Sequence, residues 1–426
     1  MGKIKLLMLP SDTMGVGHFR NIWPAQAINR NHQDEIEVEI NTTPDFNDLE
    51  YFKKFDIVHF HRQLGDINTS PKQIQMLKSL GLTVIMDIDD YWEPFGAHPL
   101  YYIIKQEKIG DKIRSLLPLV DHVTTTTSIF RNEILKYNPN VSVLPNSVYP
   151  EHKMWSGTDQ RSEDNDKVRI AWIGGSSHHA DLKLLETSMG ILHSSAELKD
   201  KYQMVLCGFD TRGNITEVSP DGRQKTRPIT PNESVWKRFE EIVTSDYKVN
   251  GDNPDYTDYL NRIVKDPYKT ANEQNYVRRW TLPLTQYGKH YDYCDVCLAP
   301  ICDVDQIRTP KGQIINQHNI FNEVKSELKI IEAGIKRKTL IAQDFGIYKE
   351  LIEDGKNGIL IPCKKKHNKE WYKAIKKVIL DKDYREELAD NLHQFVIEKY
   401  NIKKVTEERV DFYKSIMTDK KEIIKA

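Results

Sequence analysis

Short apolar runs alternate with amphipathic stretches along the first third of the chain, and this alternation predicts strands connected by helices. The predicted strands cover residues 5–9, 37–40, 57–60, 84–87, 122–125 and 141–144. Several of them follow segments of helical periodicity, such as residues 71–80. Strands that alternate with helices in this way are typical of a doubly wound parallel sheet, which we expect to end near Pro145.

The same alternation resumes after a polar segment at residues 156–169, which predicts a linker. The predicted strands of the second half cover residues 169–173, 204–207, 296–299, 339–342 and 358–361. A helix is predicted over residues 323–333, and further helices over residues 370–417. Two stretches break the pattern, residues 211–262 and 303–320, and are predicted to be insertions.

These patterns divide the chain into two α/β domains, each with a doubly wound parallel sheet. We expect the first domain to cover residues 1–150 and the second residues 151–395, with C-terminal helices at residues 396–426 that return to the first domain. The carboxyl ends of the strands in two such sheets face each other across a cleft, where ligands of these folds bind. Loops that follow strands are therefore the places to search for chemistry.

The charge balance limits the partners that this chain attracts. Its 426 residues include 61 Lys and Arg against 62 Asp and Glu, a formal net charge of -1. Because no global field draws in a polyanion, we expect no nucleic-acid partner, and any phosphate group must be bound locally. A lysine run at residues 364–366 leaves open a contact with a membrane surface.

The cysteines and the apolar runs bear on the location of the protein. Five cysteines are few and odd in number, which favours a reducing compartment. The first residues contain too short an apolar run for a signal peptide, and no stretch approaches the roughly 20 apolar residues of a transmembrane helix. We therefore expect a cytoplasmic location, with the inner membrane face as an alternative. Cys294 and Cys297 have a zinc-like spacing, but the apolar run around Cys297 favours a strand.

The loop after the first predicted strand contains glycines and a cation. Gly15 and Gly17 would let backbone N–H groups approach an anion, and Arg20 lies at the start of the next helix. The third glycine of the dinucleotide fingerprint is missing. Contact with phosphate or sugar and a purely structural role of the glycines are equally favoured.

The predicted strand at residues 84–87 is followed by clustered carboxylates. Asp87, Asp89 and Asp90 would repel one another, so they need a cation, sugar hydroxyls or other hydrogen-bond donors. Three interpretations stay open: an Asp-x-Asp site for a metal and a nucleotide, a contact with sugar or acceptor, and a structural cap on the following turn.

Two further segments of the second half are candidates for binding an anion. Gly174, Gly175 and Ser176 form a turn after a predicted strand, and the N–H groups at the start of the next helix could hold a diphosphate. On the helix predicted from residue 323, Lys325 and Glu332 fall on one side, with Lys325 near the N-terminal end.

With these residues considered together, the chain resembles the retaining, nucleotide-sugar-dependent glycosyltransferases of the GT-B fold, specifically glycosyltransferase family 4. The segment Glu332-Ala333-Gly334 and the run LIAQDFGIYKELIEDGKNGILIP at residues 340–362 are similar to the closing block of that family. Residues 121–148 resemble the last βαβ unit of its first domain. The resemblance implies two Rossmann-like domains that face each other across a cleft.

By this resemblance, Glu332 is the second glutamate of the Glu-(seven residues)-Glu motif and accepts hydrogen bonds from the donor ribose. Val324 stands where the first glutamate belongs, so we expect Asn322 and Lys325 to replace its function. The family's cations after the first strand of the second domain are also absent, which leaves Lys325, Arg20 and, from the insertion, Arg308 or Lys311 to meet the diphosphate charge. Asp89 stands where the family usually has a histidine.

The resemblance implies transfer of a sugar, with retention of configuration, from a nucleoside-diphosphate sugar to a glycan, lipid-linked or protein acceptor, as in polysaccharide biosynthesis. The candidates for catalytic residues are Asp89, Asp90 and Lys325. No cofactor and no divalent metal is expected. Three alternatives stay open: a metal-dependent Asp-x-Asp transferase, an epimerase of nucleotide sugars, and a non-catalytic protein that binds a nucleotide sugar or glycan.

Overall fold

The computed structural model describes residues 2–157, 166–198, 200–210, 214–218, 223–230, 233–244, 276–308, 312–363 and 369–425. These residues form two Rossmann-like domains, each built around a parallel six-stranded sheet, which confirms the predicted α/β class. The lysine run at residues 364–366, Lys311, much of the predicted linker and about half of the insertion at residues 211–262 lie outside the described residues.

All six predicted strands of the first sheet are confirmed. They are β1 Ile4–Leu9, β2 Ile36–Ile40, β3 Ile57–His61, β4 Thr83–Asp87, β5 His122–Thr125 and β6 Val141–Val143. All neighbours are parallel, and the strand order is β2-β1-β3-β4-β5-β6. The central strands β3 and β4 are buried along their whole length, because helices cover both faces of the sheet. This burial explains why their sequences do not alternate between apolar and exposed polar residues; the two histidines of β3, His59 and His61, are buried and hydrogen-bonded.

The described residues of the second half form another parallel sheet and two hairpins. Its strands are β7 Val168–Ile173, β8 Tyr202–Phe209, β9 Asn214–Val218, β10 Gln224–Pro228, β11 Tyr276–Trp280, β12 Val296–Ala299, β13 Val304–Arg308, β14 Ile314–His318, β15 Thr339–Gln343 and β16 Ile359–Ile361. The order in the sheet is β11-β8-β7-β12-β15-β16. β9 pairs with β10, and β13 with β14, as antiparallel hairpins, so part of each predicted insertion is a hairpin.

Helices connect the strands of both sheets. The α-helices are Gly15–Gly17, Trp23–Asn31, Leu49–Phe52, Ser70–Ser79, Tyr101–Gln106, Ile109–Leu116, Ser128–Ile134, His179–Leu182, Glu186–Ser194, Val235–Thr244, Lys289–Asp292, Ile320–Glu323, Leu328–Ile335, Gly346–Leu351, Glu370–Leu380, Lys382–Tyr400 and Ile402–Lys425. A π-helical turn, His18–Ile22, joins the first two of these. No helix among the described residues is long and apolar enough to cross a bilayer.

The prediction of a helix over residues 323–333 is wrong at its start. One short helix, Ile320–Glu323, ends before Lys325, and the next helix begins at Leu328. Asn319 caps the short helix by accepting a hydrogen bond from the Asn322 backbone N–H at 3.1 Å. Lys325 therefore lies in the loop between two helices and not on a helix face.

The chain passes between the domains at two adjacent places. Val148 N–H donates to the Tyr400 carbonyl, and Ile402 N–H donates to the Val148 carbonyl, both at 2.8 Å. The helix that begins at Ile402 then packs against the first sheet, where Tyr413 is buried and its hydroxyl hydrogen-bonds His59 Nδ1 at 2.7 Å. The last helix is thus a structural part of the first domain, although it is the end of the sequence.

Candidate functional site between the two domains

The side chain of Asp12 caps the loop after β1. Asp12 Oδ1 accepts hydrogen bonds from the backbone N–H groups of Met14 at 2.8 Å and Gly17 at 3.1 Å. A Cβ at Gly17 would lie 1.8 Å from the Asp12 carbonyl oxygen, whereas a Cβ at Gly15 would lie 4.0 Å from its nearest neighbour, Leu284. The need for glycine at position 17 is therefore explained by this close backbone approach, and its N–H group already has an acceptor.

Arg20 was a candidate for phosphate binding, and the structure corrects this expectation. Its guanidinium is 1% exposed and forms a bidentate ion pair with Asp87, at 2.9 Å from Nε and 2.7 Å from Nη2. Nη1 donates to the Leu144 carbonyl at 2.7 Å. Burial opposes ionisation of Asp87, but the Arg20 charge outweighs it and lowers the pKa of this carboxyl to about 2. Arg20 and Asp87 neutralise each other beneath the cleft.

Asp89 and Asp90 lie closer to the cleft and share a different arginine. Asp89 Oδ1 accepts from Arg62 Nη2 and from His61 Nε2, both at 2.8 Å, while Asp90 lies 3.4 Å from Arg62. Although burial favours the neutral acid, Arg62 and His61 hold the pKa of Asp89 well below its usual range. Arg62 adopts φ +59, a left-handed conformation that is rare for a side chain of this size.

A chain of side chains connects Asp89 to the loop after β1. His61 is fully buried, and its second nitrogen, Nδ1, lies 2.6 Å from the Oγ of the exposed Ser11. Since Asp89 accepts from Nε2–H, His61 Nδ1 is the nitrogen that can accept the Ser11 proton. The sequence did not identify this group, because its members come from distant parts of the chain: Ser11 follows β1, His61 and Arg62 stand at the end of β3, and Asp89 follows β4.

The glycine turn after β7 forms the opposite side of the cleft. A Cβ at Gly174 would lie 2.5 Å from the Trp172 ring, so close packing explains this glycine. Gly175 and Ser176 are exposed, and a Cβ at Gly175 would meet no atom within 4 Å. Helical structure follows the turn, as the helix His179–Leu182, a 3-10 turn at Lys183–Leu185 and the helix Glu186–Ser194, so a helix start lies directly after the glycines.

Lys325 lies beside this turn. Its Nζ is 3.5 Å from His178 Nδ1, which in turn is 2.7 Å from Asp181 Oδ2. Burial and the positive charge of Lys325 lower the pKa of His178, so the imidazole is neutral at pH 7. The lysine charge also acts on Asp90 from the first domain and on Asp181. The half-buried Lys325 therefore lies where the two domains approach each other.

Asn322 was expected to contact sugar or phosphate, but its side chain is buried and hydrogen-bonds other parts of the second domain. It is 1% exposed, and its Nδ2 donates to Asp181 Oδ1 at 2.9 Å and to the Cys302 carbonyl at 3.0 Å. Cys302 N–H also donates to Asp181 Oδ1, at 2.7 Å. Asn322 thus ties Asp181 to the segment that enters the β13–β14 hairpin, and it supports the loop of Lys325 rather than facing the cleft.

Glu332 lies on the helix Leu328–Ile335 and is 5% exposed. The Tyr291 hydroxyl donates to Glu332 Oε2 at 2.5 Å, and Lys329 Nζ lies 3.5 Å from the same oxygen. Lys329 Nζ also donates to the Tyr287 hydroxyl at 3.2 Å. The sequence identified Glu332 alone; its three polar neighbours were missed, although Lys329 lies only one helical turn away.

The described residues offer no ready metal site. None of their histidine, cysteine and carboxylate side chains form a group of three that could hold an ion. Asp87 and Asp89 have arginine partners, which supply the cations that these carboxylates need. Cys294 and Cys297 are buried with their Sγ atoms 3.6 Å apart, in the strand environment expected for Cys297. The residues in place do not fit an Asp-x-Asp metal site or a zinc site.

Comparison with known proteins relates the chain to others by structure. No family model and no curated protein sequence matches it. Sucrose-phosphate synthase from Thermosynechococcus elongatus has a TM-score of 0.57 at 12% identity, over 98% of this chain and 100% of that one. HepE from Anabaena, in complex with UDP and glucose, has a TM-score of 0.54 at 12% identity, over 97% of this chain and 100% of that one.

A third similar structure comes from Listeria monocytogenes, and its assignment as a UDP-N-acetylglucosamine 2-epimerase is provisional. It has a TM-score of 0.51 at 11% identity, over 98% of this chain and 98% of that one. At such identities the likeness shows the fold, and the chain has the GT-B architecture of two Rossmann-like domains. Because transferases and an epimerase share this fold, the fold alone does not choose between these activities.

Proposed function

We propose that the protein is a glycosyltransferase that takes a sugar from a nucleoside-diphosphate sugar, with retention of configuration, and passes it to a glycan, lipid-linked or protein acceptor. The observation that carries the proposal is the position of Lys325, beside the exposed glycine turn of the second domain and opposite Asp90 of the first. A cation at the cleft next to the exposed backbone of Gly175 and Ser176 suits a diphosphate. The complexes of HepE with UDP and with UDP-glucose support a donor of this class.

In the proposed binding mode, the diphosphate lies between Gly175, Ser176 and Lys325, and the nucleoside extends toward Glu332. A carboxylate can accept about four hydrogen bonds, so Glu332 retains capacity for ribose hydroxyls beside its bond from Tyr291. Lys329 Nζ, 3.5 Å away, gives this buried carboxylate a positive neighbour. Asn322 acts indirectly in this mode, because it positions Asp181 and the loop that carries Lys325.

The proposed reaction breaks the bond between the anomeric carbon and the diphosphate oxygen and forms a bond from that carbon to an acceptor hydroxyl oxygen. The acceptor proton moves to the departing diphosphate. Lys325 stabilises the negative charge that develops on the leaving group, which is the contribution that lowers the barrier most directly. Asp89 and Asp90 lie on the first domain, where their carboxylates would orient the donor sugar or the acceptor by accepting hydrogen bonds from its hydroxyl groups.

The first test is a thermal-shift series with UDP, GDP and ADP, each with and without a divalent metal or EDTA. A ligand that binds the folded state raises the melting temperature. Metal-independent stabilisation by one nucleotide is expected, and Lys325→Ala should weaken its affinity by about tenfold or more, since a charged hydrogen bond is lost. Lys373→Ala removes a lysine from a surface pair with Glu370 and serves as the control. Stabilisation only with metal, or none with any nucleotide, would contradict the proposal.

The second test separates transfer from epimerisation, the alternative that the Listeria structure favours. The nucleotide sugar that binds is incubated with and without simple glycosides, and the products are followed by proton NMR. Transfer predicts a new glycoside with the anomeric configuration of the donor. Conversion of one nucleotide sugar into another without acceptor would establish an epimerase. An inverted product would instead assign proton removal to the chain of Ser11, His61 and Asp89.

A further inference from the structure

A cavity of about 340 Å³ lies between the domains at the edge of the cleft. Its walls come from the loop after β4 and the helix Tyr101–Gln106 on one side and from the β13–β14 hairpin on the other. Phe321 also lines it, one residue before Asn322, and the Phe321 ring centroid lies 5.4 Å from Lys325 Nζ. The cavity therefore borders the candidate site without being part of the proposed donor pocket.

The two domains meet closely around this cavity. Gly96 N–H donates to Asp305 Oδ1 at 2.8 Å, and a Cβ at Gly96 would lie 2.7 Å from the Gln306 carbonyl oxygen. The Phe95 and Phe321 rings lie 5.4 Å apart across the same boundary. The hairpin thus contacts the first domain directly, and its position fixes the shape of the cavity.

The lining combines aromatic rings with polar groups of balanced charge. Tyr91, Tyr101 and Phe321 present rings to the cavity. The lining cations already have acidic partners, since Lys105 pairs with Glu93 and Arg114 pairs with Asp111. Asp305 accepts from Gly96 and from Gln317 Nε2, at 3.2 Å for the latter. Such a lining suits a neutral ligand that has both apolar faces and hydroxyl groups.

One buried donor in this wall lacks an acceptor within the described part of the chain. Asn319 is 2% exposed and lines the cavity, and its Nδ2 has no hydrogen-bond partner among the described residues. Its Oδ1 is engaged in capping the short helix that begins at Ile320. Since buried donors are normally paired, an acceptor oxygen from a ligand would satisfy this one, by a turn of the Asn319 side chain that brings the buried Nδ2 to the cavity surface.

We infer that this cavity binds a neutral sugar unit of the acceptor, with its apolar face on Tyr101 and Phe321 and a hydroxyl or carbonyl oxygen on Asn319 Nδ2. The inference rests on the proposed transferase function and identifies where the acceptor binds. The cavity volume is at the lower end for ligand pockets, which fits one or two sugar units and not a long chain. Acceptor choice then depends on the hairpin inserted between β12 and β15.

The test uses methyl glycosides of glucose, galactose and N-acetylglucosamine as probes, at concentrations of about 10 mM because mM affinity is expected for one sugar unit. Saturation-transfer NMR measures their binding to the full chain without a donor. Tyr101→Ala should reduce the signal of the bound glycoside by about tenfold or more. Tyr102→Ala is the control and should leave the signal unchanged, because the Tyr102 side chain is 78% exposed and lies outside the cavity.

A second pair of variants fills the cavity instead of opening it. Ile307→Trp places a large ring in the cavity and should abolish glycoside binding. Ile314→Trp makes the same change on the opposite face of the hairpin, because the register pairs Ile307 with Ile315. The thermal shift caused by UDP should be unchanged in both variants. This measurement separates the two proposals, because a wild-type chain that binds no UDP would contradict the donor proposal alone.

Two results would overturn the acceptor inference. One is the absence of binding for every glycoside to the wild-type chain. The other is glycoside binding that survives both Tyr101→Ala and Ile307→Trp. Circular dichroism and melting temperatures of the four variants establish that each is folded. The glycoside binding of each cavity variant can then be compared with that of its matched control.

Discussion

At the scale of single residues, pairing with an opposite charge decides which of the predicted ligands can act in the cleft. Arg20 and Lys325 were both expected to meet the donor diphosphate. Arg20 lies beneath the first sheet's carboxyl edge with all three of its nitrogens bonded, while Lys325 is half-buried beside the turn after β7. The sequence predicts both cations near the start of a helix, so their sequence context does not distinguish them. The difference lies in which carboxylate each one meets.

The buried pair of Arg20 and Asp87 gives the first prediction. Arg20→Met leaves the Asp87 carboxylate buried without its partner, so the free energy of unfolding should fall by about 3–5 kcal/mol. Urea unfolding at pH 7 measures this loss. The double variant Arg20→Met/Asp87→Leu removes both charges and should recover most of the stability. A double variant as unstable as the single one would contradict the assignment of the loss to an unpaired charge.

The same pair determines part of the acid response. Because the folded-state pKa of Asp87 is about 2, below the value of about 3.9 for an unfolded chain, its stabilisation is present above pH 4 and is lost as the pH falls toward 2. The Arg20→Met variant should lack this loss. Unfolding curves of both proteins between pH 5 and 2 test the sign.

At the scale of elements, local periodicity predicted the strands well and the turns poorly. β3 and β4 are rich in apolar residues and buried throughout, and their positions are confirmed. β11 was missed because its sequence, YVRRW, contains two arginines. One of them, Arg278, is nevertheless buried and pairs with Glu240, so the ion pair allows a charge inside the sheet. The false start of the helix at residue 323 has a similar cause, since nothing in the local pattern marks the break before Leu328.

The turn after β1 gives the second prediction, which compares two neighbouring glycines. Gly17→Ala would place a Cβ against the Asp12 backbone and should lower the free energy of unfolding by about 1–3 kcal/mol. Gly15→Ala would bring its Cβ only into ordinary contact with Leu284, at 4.0 Å, in a helical conformation, and should be neutral or stabilising by up to ~1 kcal/mol. Urea unfolding of the two variants is the measurement. Equal effects would show that the close approach at Gly17 does not limit this turn.

At the scale of the whole molecule, the two domains are connected by paired crossings and by a buried carboxyl group. Glu327 is 1% exposed and precedes the helix Leu328–Ile335 of the second domain. Its Oε1 accepts from the Asn146 backbone N–H at 2.7 Å, in the segment that leaves the first domain. Burial raises the pKa of Glu327 to about 7, so this contact between the domains contains an acid that is half-protonated near neutral pH.

This carboxyl group gives the third prediction. A folded-state pKa raised above the unfolded value stabilises the protein at low pH, and the stabilisation is lost as the pH rises through 7. Glu327→Gln keeps the acceptor for Asn146 but cannot ionise. The stability of this variant relative to wild type should therefore rise by about 2 kcal/mol between pH 5 and pH 8. Glu353→Gln, at an exposed surface pair, is the control and should show no such change.

The sequence by itself determined the α/β class, the two parallel sheets and most of their strands. Strands that are buried on both faces are short apolar segments, and these can be recognised from neighbouring residues alone. The proposed domain boundaries and the roles of Gly175, Ser176, Lys325 and Glu332 remain predictions. Only the tertiary structure decided which charges meet: Arg20 pairs with Asp87 67 residues away, and Lys325 lies beside His178 across 147 residues. Such pairs depend on how strands and domains are arranged in space, which no local pattern records.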